Sequence, residues 1–410
     1  MQWILLFGLW VCYLAFGAIA SSLAPLVGVI EADLGLSHSA MGSIMGAWQL
    51  AYIAAAIPGG LLLDRLGSRR ALLIGVLLIA ASAAGRALAD GYWALLLAVM
   101  VFGIGGPIIS SGAPKVVAQV FSGTRRGLAM GIYITGPTLG GILALTLTHP
   151  LLMPLFAESW RAIMLLWGTV GLLAAILWWA ITAWCGQRVP GFPEAPGAAD
   201  PPASEDAIAG RVAPSRSVVM VLLAMPAVRL VLAMSVGVFL INHGLSNWLP
   251  ELLRSGGMSI TAAGYWAALP MLVGILGSLT IPRLATPERR FRILAGLCLA
   301  GAVSCLLLLS TAPLVLTGAL LLQGLVRASL MTVLILTLME LPGMNPRRTG
   351  TASGLFFSFA EVGGVLGPLG LGLLYDTTGS FTPGLIGLAA VAAGMMLATA
   401  RLARLARRAS

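Results

Sequence analysis

The chain contains 410 residues, of which 59% are hydrophobic and 9% are charged, and its formal net charge is +10. Soluble domains carry about 25% charged residues, so this composition excludes a soluble globular protein and predicts a polytopic membrane protein. A net positive charge can indicate nucleic-acid binding, but the arginines follow a membrane topology, and we expect no nucleic-acid partner.

Twelve apolar stretches follow one another along the chain, each near the ~20 residues that a helix needs to cross hydrocarbon. These predicted spans 1 to 12 cover residues 4–30, 40–63, 71–89, 94–116, 128–148, 160–183, 226–246, 260–282, 293–310, 314–338, 351–374 and 382–401. The predicted fold class is therefore an all-α membrane protein with twelve transmembrane helices. No Lys or Arg precedes span 1, so we expect an uncleaved helix rather than a signal peptide.

The arginines lie mostly in the loops after even-numbered spans and in the C-terminal tail. Only Arg86, Arg161 and Arg254 fall near the opposite side of the predicted topology. Cytoplasmic loops of membrane proteins carry an excess of Lys and Arg, so both termini are expected to be cytoplasmic, in a bacterial-type plasma (inner) membrane. The basic loops are then orientation signals and lipid contacts.

One long polar segment, residues 186–217, is rich in Pro, Ala and acidic residues and predicts a cytoplasmic linker. It separates an N-terminal half, residues 1–185, from a C-terminal half, residues 218–410, with six spans in each. The stretch "RRGLAMGIYITGPTLGGIL" (125–143) also aligns with "RTGTASGLFFSFAEVGGVL" (348–366). A weak repeat of this kind is typical of transporters that bind substrate between two halves near the middle of the membrane.

The loop between spans 2 and 3 contains "GGLLLDRLGSRR" (59–70). It resembles the major facilitator superfamily signature at this place, with Ser68 at a usually basic position. The matching residues are Gly60, Asp64, Arg65, Gly67 and Arg69. The resemblance implies two pseudo-symmetric six-helix bundles, and a loop that latches the halves in the outward-facing state. From the residues alone, glycines allow a tight helix–loop–helix approach, and a plain positive-inside loop is the alternative.

Other segments extend this resemblance along the chain. They are "SWRAIMLLWG" (159–168), "NWLPELL" (247–253) and "LLYDTTGSF" (373–381). The stretch "GPTLGG" (136–141) resembles part of the helix 5 motif of proton-coupled antiporters, with one glycine displaced, and gives Gly136 and Pro137 a gating or structural role. Spans 10 to 12 look most like the cyanate/nitroimidazole transporter-like group.

Two charged residues lie near the middle of spans. Arg327 is in span 10, with Gln323 one turn before it, and Glu361 is in span 11. An arginine at the centre of a membrane helix costs roughly 2.5–3.5 kcal/mol on insertion scales, so its presence indicates a role. One interpretation is a static ion pair between Arg327 and Glu361. In the other, Arg327 binds an anionic substrate and Glu361 takes up a proton.

Other polar side chains in the spans are candidate substrate contacts, with packing or interface anchoring as the alternative. They are Lys115, Gln49, Tyr52, Tyr133, Asn242 and His243. Lys115 ends span 4, where it either snorkels to the cytoplasmic interface or forms a second anion contact. Arg86 is expected to be structural and to pair with Asp90. The cysteines are expected to be buried thiols rather than disulfides.

The only lysine lies outside any Gly-rich loop, and no metal-ligand pattern or nucleophile–base pair is present, so we expect no enzyme, cofactor or metal. We predict a secondary transporter that moves a small anionic solute by alternating access, coupled to protons or by exchange. Its expected partners are that solute, protons and the bilayer, and the chain is expected to be a monomer. The alternatives are a proton-coupled exporter of drug-like or amphiphilic compounds, and a non-transporting sensor. The substrate and the direction of transport stay open.

Overall fold

The computed structural model describes residues 1–185, 189, 192, 216–342, 344 and 346–409. The predicted linker, residues 186–217, lies almost entirely outside the described residues. The rest of the chain is built of helices, as predicted. Within the described ranges, eleven helical stretches are long and apolar enough to cross a membrane.

The helices of the N-terminal part are α1 Gln2–Ser21, α2 Val27–Leu34, α3 His38–Ala87, α4 Tyr92–Val120, α5 Gly123–Leu147, α6 Met153–Leu155 and α7 Trp160–Cys185. Those of the C-terminal part are α8 Arg216–Ala224, α9 Pro226–Ser255, α10 Ile260–Leu284, α11 Arg290–Leu307, α12 Pro313–Met339, α13 Pro346–Thr378 and α14 Thr382–Ala409. The short helix α8, which precedes Pro226, was not predicted from the sequence.

The sequence predicts separate spans 2 and 3, whereas the structure has one helical stretch of 50 residues, α3. A straight helix of that length would measure about 75 Å, more than twice the ~30 Å of bilayer hydrocarbon. Gly67 interrupts α3 with φ 75° and ψ 161°, a backbone conformation that favours glycine. The residues before and after Gly67 therefore form two membrane-crossing segments. With α3 counted as two, the eleven helical stretches of the described residues give twelve crossing segments.

The structure also corrects span 1, which the sequence predicts as a single helix over residues 4–30. Helix α1 ends at Ser21, a 3-10 turn covers Ala24–Leu26, and α2 follows. Pro25 explains the break, because proline has no N–H to continue the helical hydrogen-bond ladder.

Arg86 closes the end of α1 instead of pairing with Asp90. Its guanidinium donates to the Ile19 carbonyl at 2.8 Å and to Ser22 Oγ at 3.2 Å. The side chain is 1% exposed and lies over the ring of Phe102. Carbonyls at the end of a helix lack partners within the helix, so Arg86 satisfies groups that the break in span 1 leaves open.

The chain forms two compact units. Unit 1 comprises Met1–Ala198 and Leu249–Ala268, and unit 2 comprises Ala199–Trp248 and Leu269–Ser410. Unit 1 thus includes the end of α9 and the beginning of α10, which follow the linker in the sequence. The domain boundaries given by the linker stay a prediction.

The interior of each unit is apolar. Trp178 in unit 1 and Trp248 and Phe356 in unit 2 are among the largest fully buried side chains. The cysteines are buried and free, as expected: Cys12, Cys185, Cys298 and Cys305.

The sequence repeat corresponds to a repeated helix contact. In unit 1, a Cβ atom on Gly140 of α5 would overlap the carbonyl of Leu14 on α1. In unit 2, a Cβ on Gly363 of α13, the residue aligned with Gly140, would overlap the carbonyl of Val236 on α9. Small residues let membrane helices approach each other at the backbone. The close contact of α5 with α1 in unit 1 therefore corresponds to the close contact of α13 with α9 in unit 2.

A second contact recurs in the same way. Gly103 on α4 approaches the carbonyl of Trp48 on α3, and a Cβ there would overlap it. Gly324 on α12 approaches the carbonyl of Pro270 on α10, and a Cβ there would lie 2.8 Å from that oxygen. The two units are therefore alike in packing, although their sequences have diverged.

We predict that Gly363→Ala destabilises the protein, because the added methyl group would meet backbone that cannot move aside. Overpacking of this kind costs about 1–3 kcal/mol. Thermal unfolding in detergent should give a lower midpoint than for the wild type. Gly354→Ala is the matched control on the same helix, since no described atom lies within 4 Å of a Cβ there. Equal midpoints for the two variants would contradict the close contact.

Candidate functional site

In unit 2, Arg327 lies near the middle of α12 and is half-buried. The side-chain amide of Asn242 on α9 donates to the backbone carbonyl of Arg327 at 3.0 Å. The next residue, His243, is close enough to Arg327 for the two side chains to interact electrostatically. Two helices thus bring three of the predicted substrate contacts together.

Arg327 and Glu361 do not form the static ion pair considered from the sequence. Within the described part of the chain, no carboxylate lies within ion-pair distance of the Arg327 guanidinium. Glu361 on α13 is 7% exposed, and its Oε2 atom has no hydrogen-bond partner among the described residues. Both groups therefore sit within the membrane without the neutralisation that a pair would give.

Gln323 adds a third polar group to this region. It lies one helical turn before Arg327 on α12 and is 5% exposed. Its Oε1 atom has no hydrogen-bond partner among the described side chains and backbone. A buried amide usually finds partners for both its oxygen and its nitrogen. Gln323 is therefore available to a polar ligand that reaches this part of α12.

Two aromatic residues of unit 2 were missed from the sequence. The ring of Phe239 on α9 lies 5.3 Å from that of His243 and 6.5 Å from that of Phe357 on α13. Phe239 precedes His243 by four residues, and Phe357 precedes Glu361 by four. Residues four apart share one face of a helix, so this spacing could have identified both.

Unit 1 contains an aromatic cluster that includes two predicted contacts. Tyr52 Oη and Ser110 Oγ are 2.7 Å apart, which links α3 to α4. The ring of Tyr133 on α5 lies 5.1 Å from that of Tyr13 on α1, and the ring of Trp48 lies 6.1 Å from that of Tyr52. Tyr13 and Trp48 were not predicted.

Other predicted residues of unit 1 lie in the packing around this cluster. Gln49 is fully buried in α3. A Cβ atom on Gly136 would lie 2.9 Å from the Cβ of Tyr13, and one on Gly17 would overlap the carbonyl of Pro137. Gly136 and Gly17 thus let α5 pack closely on α1, and the gating role of Gly136 and Pro137 stays a prediction.

The signature loop forms a polar network at the other end of these helices. Lys115 Nζ on α4 lies 3.3 Å from Asp64 Oδ1, and the two side chains are 23% and 56% exposed. Arg69 Nε donates to Thr182 Oγ1 on α7 at 3.1 Å. Arg65 is exposed. In the structure, the partner of Lys115 is the Asp64 carboxylate. A contact between Lys115 and substrate stays a prediction.

The glycines of this loop have different roles. Gly67 has the positive φ that the turn requires. A Cβ on Gly60 would meet nothing within 4 Å among the described atoms, whereas one on Gly59 would lie 3.1 Å from Ile108. The close approach that the sequence places at Gly60 therefore occurs one residue earlier.

A charged cluster in unit 1 was not predicted either. Asp33 accepts from Arg161 Nη1 at 2.5 Å and from Trp160 Nε1 at 3.1 Å. Asp33 and Arg254 line a cavity of about 600 Å³ together with Pro25 of the 3-10 turn, other residues of α2 and the first residue of α10, Ile260. Arg254 binds the buried Glu251 one turn before it.

Twelve apolar crossing segments, packed as two repeated helical units around intramembrane polar residues, define a polytopic membrane transporter rather than an enzyme. The sequence profile of the Major Facilitator Superfamily matches residues 9–368. The chain therefore belongs to the Major Facilitator Superfamily.

Three relatives illustrate the range of the family around this chain. The hexuronate transporter of Bacillus subtilis (strain 168) is 23% identical over 94% of this chain and 90% of its own length. The gallate transporter of Pseudomonas putida is 26% identical over 98% of this chain and 93% of its own. The quinolone resistance transporter of Acinetobacter baumannii is 25% identical over 86% of this chain and 82% of its own.

A crystal structure of the nucleoside transporter NupG has the same fold. It superposes with a TM-score of 0.77 and 13% sequence identity, over 97% of this chain and 99% of the other. At this identity, the likeness establishes the fold alone.

Proposed function

We propose that this transporter carries a small organic anion and that Arg327 is the ligand for its negative charge. The observation that carries the proposal is the guanidinium itself, which lies within a membrane span and has no carboxylate partner among the described residues. The names of the hexuronate and gallate transporters, two relatives that span nearly the whole chain, support an acid as substrate.

The energetics of Arg327 favour a ligand over a purely structural role. Arginine stays protonated, so it cannot escape the cost of burial by losing its charge. A carboxylate substrate would form two parallel charge-assisted hydrogen bonds with the guanidinium, which are shorter and stronger than neutral ones. The cost of keeping the arginine in the membrane would then be offset only when substrate is bound.

Neighbouring groups could recognise the rest of the substrate. Asn242, His243 and Gln323 offer hydrogen-bonding groups, and Phe239 and Phe357 offer apolar surface. Sites of this kind combine a charge with a few placed polar groups and an apolar wall. We infer a substrate with one carboxylate and further hydroxyl groups or an aromatic ring.

We further propose that Glu361 couples transport to protons. A buried carboxyl without a cationic partner is expensive to keep charged. Glu361 would take up a proton from water on one side of the membrane and release it to water on the other side after the conformational change, which couples that change to proton movement. We place both termini in the cytoplasm on the distribution of the arginines. We also propose an inner-membrane location, which the bacterial sources of the relatives support, and a monomer.

Arg327→Gln should reduce uptake of glucuronate into proteoliposomes about tenfold or more, the loss expected for a charge-assisted hydrogen bond. Arg327→Lys should recover part of the activity, because it keeps the charge but not the planar fork. Arg292→Gln is the control, since Arg292 is an exposed arginine in the same unit. Uptake by Arg327→Gln equal to that of the wild type would exclude Arg327 as the anion ligand.

Glu361→Gln should preserve exchange of labelled for unlabelled substrate across the liposome membrane. It should abolish the stimulation of net uptake by an imposed pH gradient, since the amide cannot carry a proton. Glu158→Gln, in an exposed loop, should respond to the gradient as the wild type does. A full response in Glu361→Gln would show that protons are coupled elsewhere or not at all.

A second candidate function is the export of aromatic, drug-like compounds. It is favoured by the aromatic cluster of unit 1 and by the similarity to a quinolone resistance transporter. The Arg327→Gln variant separates the two functions. An exporter of this kind would retain quinolone transport in that variant, whereas an anion transporter should lose glucuronate uptake and give no quinolone transport.

A further inference from the structure

A cavity of about 320 Å³ lies in unit 1 between α3 and α7. Its lining consists of Arg69, Arg70, Leu73, Trp179 and Thr182. Its walls contain two arginines, one hydroxyl and one indole, and no acidic side chain among the described residues lines it. This composition suits an anion that also has an apolar part.

Arg69 is held in place by hydrogen bonds, and neither arginine is neutralised by a described carboxylate. Arg69 donates from Nε to Thr182 Oγ1 at 3.1 Å, and its backbone carbonyl accepts from Trp178 Nε1 at 3.0 Å. In the portion of the chain that the structure describes, no carboxylate lies within ion-pair distance of Arg69 or Arg70. Guanidinium groups match phosphate oxygens in geometry, so two of them facing one small space favour a phosphate group.

The helix surfaces beside the cavity are apolar and exposed. Trp179 on α7 is 55% exposed, and Ile176 and Leu172, which precede it by three and seven residues, are also exposed. On α3, Leu77 is exposed and lies on the same face as Leu73 and Arg70, one turn after Leu73 and two turns after Arg70. Exposed apolar stripes on membrane helices contact acyl chains, and tryptophan marks the level of the headgroups.

We propose that this cavity binds the phosphate headgroup of an anionic phospholipid, with an acyl chain lying along the apolar surface of α3 and α7. The arginines belong to the basic side of the protein, which the positive-inside rule assigns to the cytoplasm. Basic pockets between membrane helices on that side are suited to anionic headgroups. Free inorganic phosphate would use the same arginines but would leave Trp179 and the apolar surface without a role.

The proposal does not depend on the substrate. The cavity involves neither Arg327 nor Glu361, so loss of lipid binding and loss of anion transport are separate outcomes. The bound lipid would hold the segment after Gly67 against α7 and so support the signature loop.

Native mass spectrometry of the full chain in detergent tests the proposal, with phosphatidylglycerol, phosphatidylcholine and inorganic phosphate as probes. Wild-type protein should retain phosphatidylglycerol in preference to phosphatidylcholine. Arg70→Gln should weaken phosphatidylglycerol binding about fivefold, the effect of one arginine near an anionic surface. Arg70 is exposed, so this variant should fold normally. Trp179→Leu should weaken binding of phosphatidylglycerol and leave the binding of inorganic phosphate unchanged.

Arg401→Gln is the matched control, because Arg401 is an exposed arginine of α14 that lines no part of this cavity. It should bind phosphatidylglycerol as the wild type does. Equal lipid binding by the wild type and Arg70→Gln would overturn the proposal, and so would a wild type without preference for phosphatidylglycerol. Displacement of the lipid by an equimolar amount of inorganic phosphate would overturn the assignment to a phospholipid.

Discussion

The charge of Arg327 is the constraint on which this account of the protein depends. A guanidinium within a membrane span cannot lose its proton, and the described chain provides no carboxylate to pair with it. The surrounding architecture keeps the group in place, since Asn242 binds the backbone of α12 at that residue and Gly324 holds α12 against α10. A membrane transporter that retains such a group at a cost of roughly 2.5–3.5 kcal/mol has a use for its charge, and the simplest use is to bind an anion.

Alternating access, the mechanism predicted from the sequence, requires units that move as rigid bodies, and the glycine contacts favour such rigidity within each unit. Gly140 and Gly363 bring α5 onto α1 and α13 onto α9 at the backbone. Contacts of this kind leave no room for a side chain to reorganise, so each helix pair is expected to move together. Asn242 and Glu361 lie on the α9–α13 pair, whereas Arg327 lies on α12, which Gly324 holds against α10.

Much of the fold could be predicted from the sequence, because twelve apolar stretches and the positive-inside rule leave few alternatives for a membrane chain. Pro25 breaks the helical hydrogen-bond ladder by its own chemistry, so the division of span 1 was within reach of the sequence. The contact of Arg86 with the carbonyl of Ile19, rather than with Asp90, was not, because it depends on the packing of α1 against α3. Their position near the middle of adjacent predicted spans suggested that Arg327 and Glu361 could pair, and the structure shows that their side chains do not. Phe239 and Phe357 share helix faces with His243 and Glu361, so they were within reach of the same spacing argument.

Titration calorimetry of the purified wild-type protein with acids and their uncharged methyl esters tests the central claim most directly. The panel would comprise glucuronate and gallate, each with one carboxylate, which represent the kinds of acid named for two relatives of this chain. If Arg327 is the anion ligand, at least one acid should bind about tenfold or more tightly than its ester, and Arg327→Gln should remove the difference. Equal affinity for each acid and its ester, or an unchanged preference in Arg327→Gln, would contradict the account.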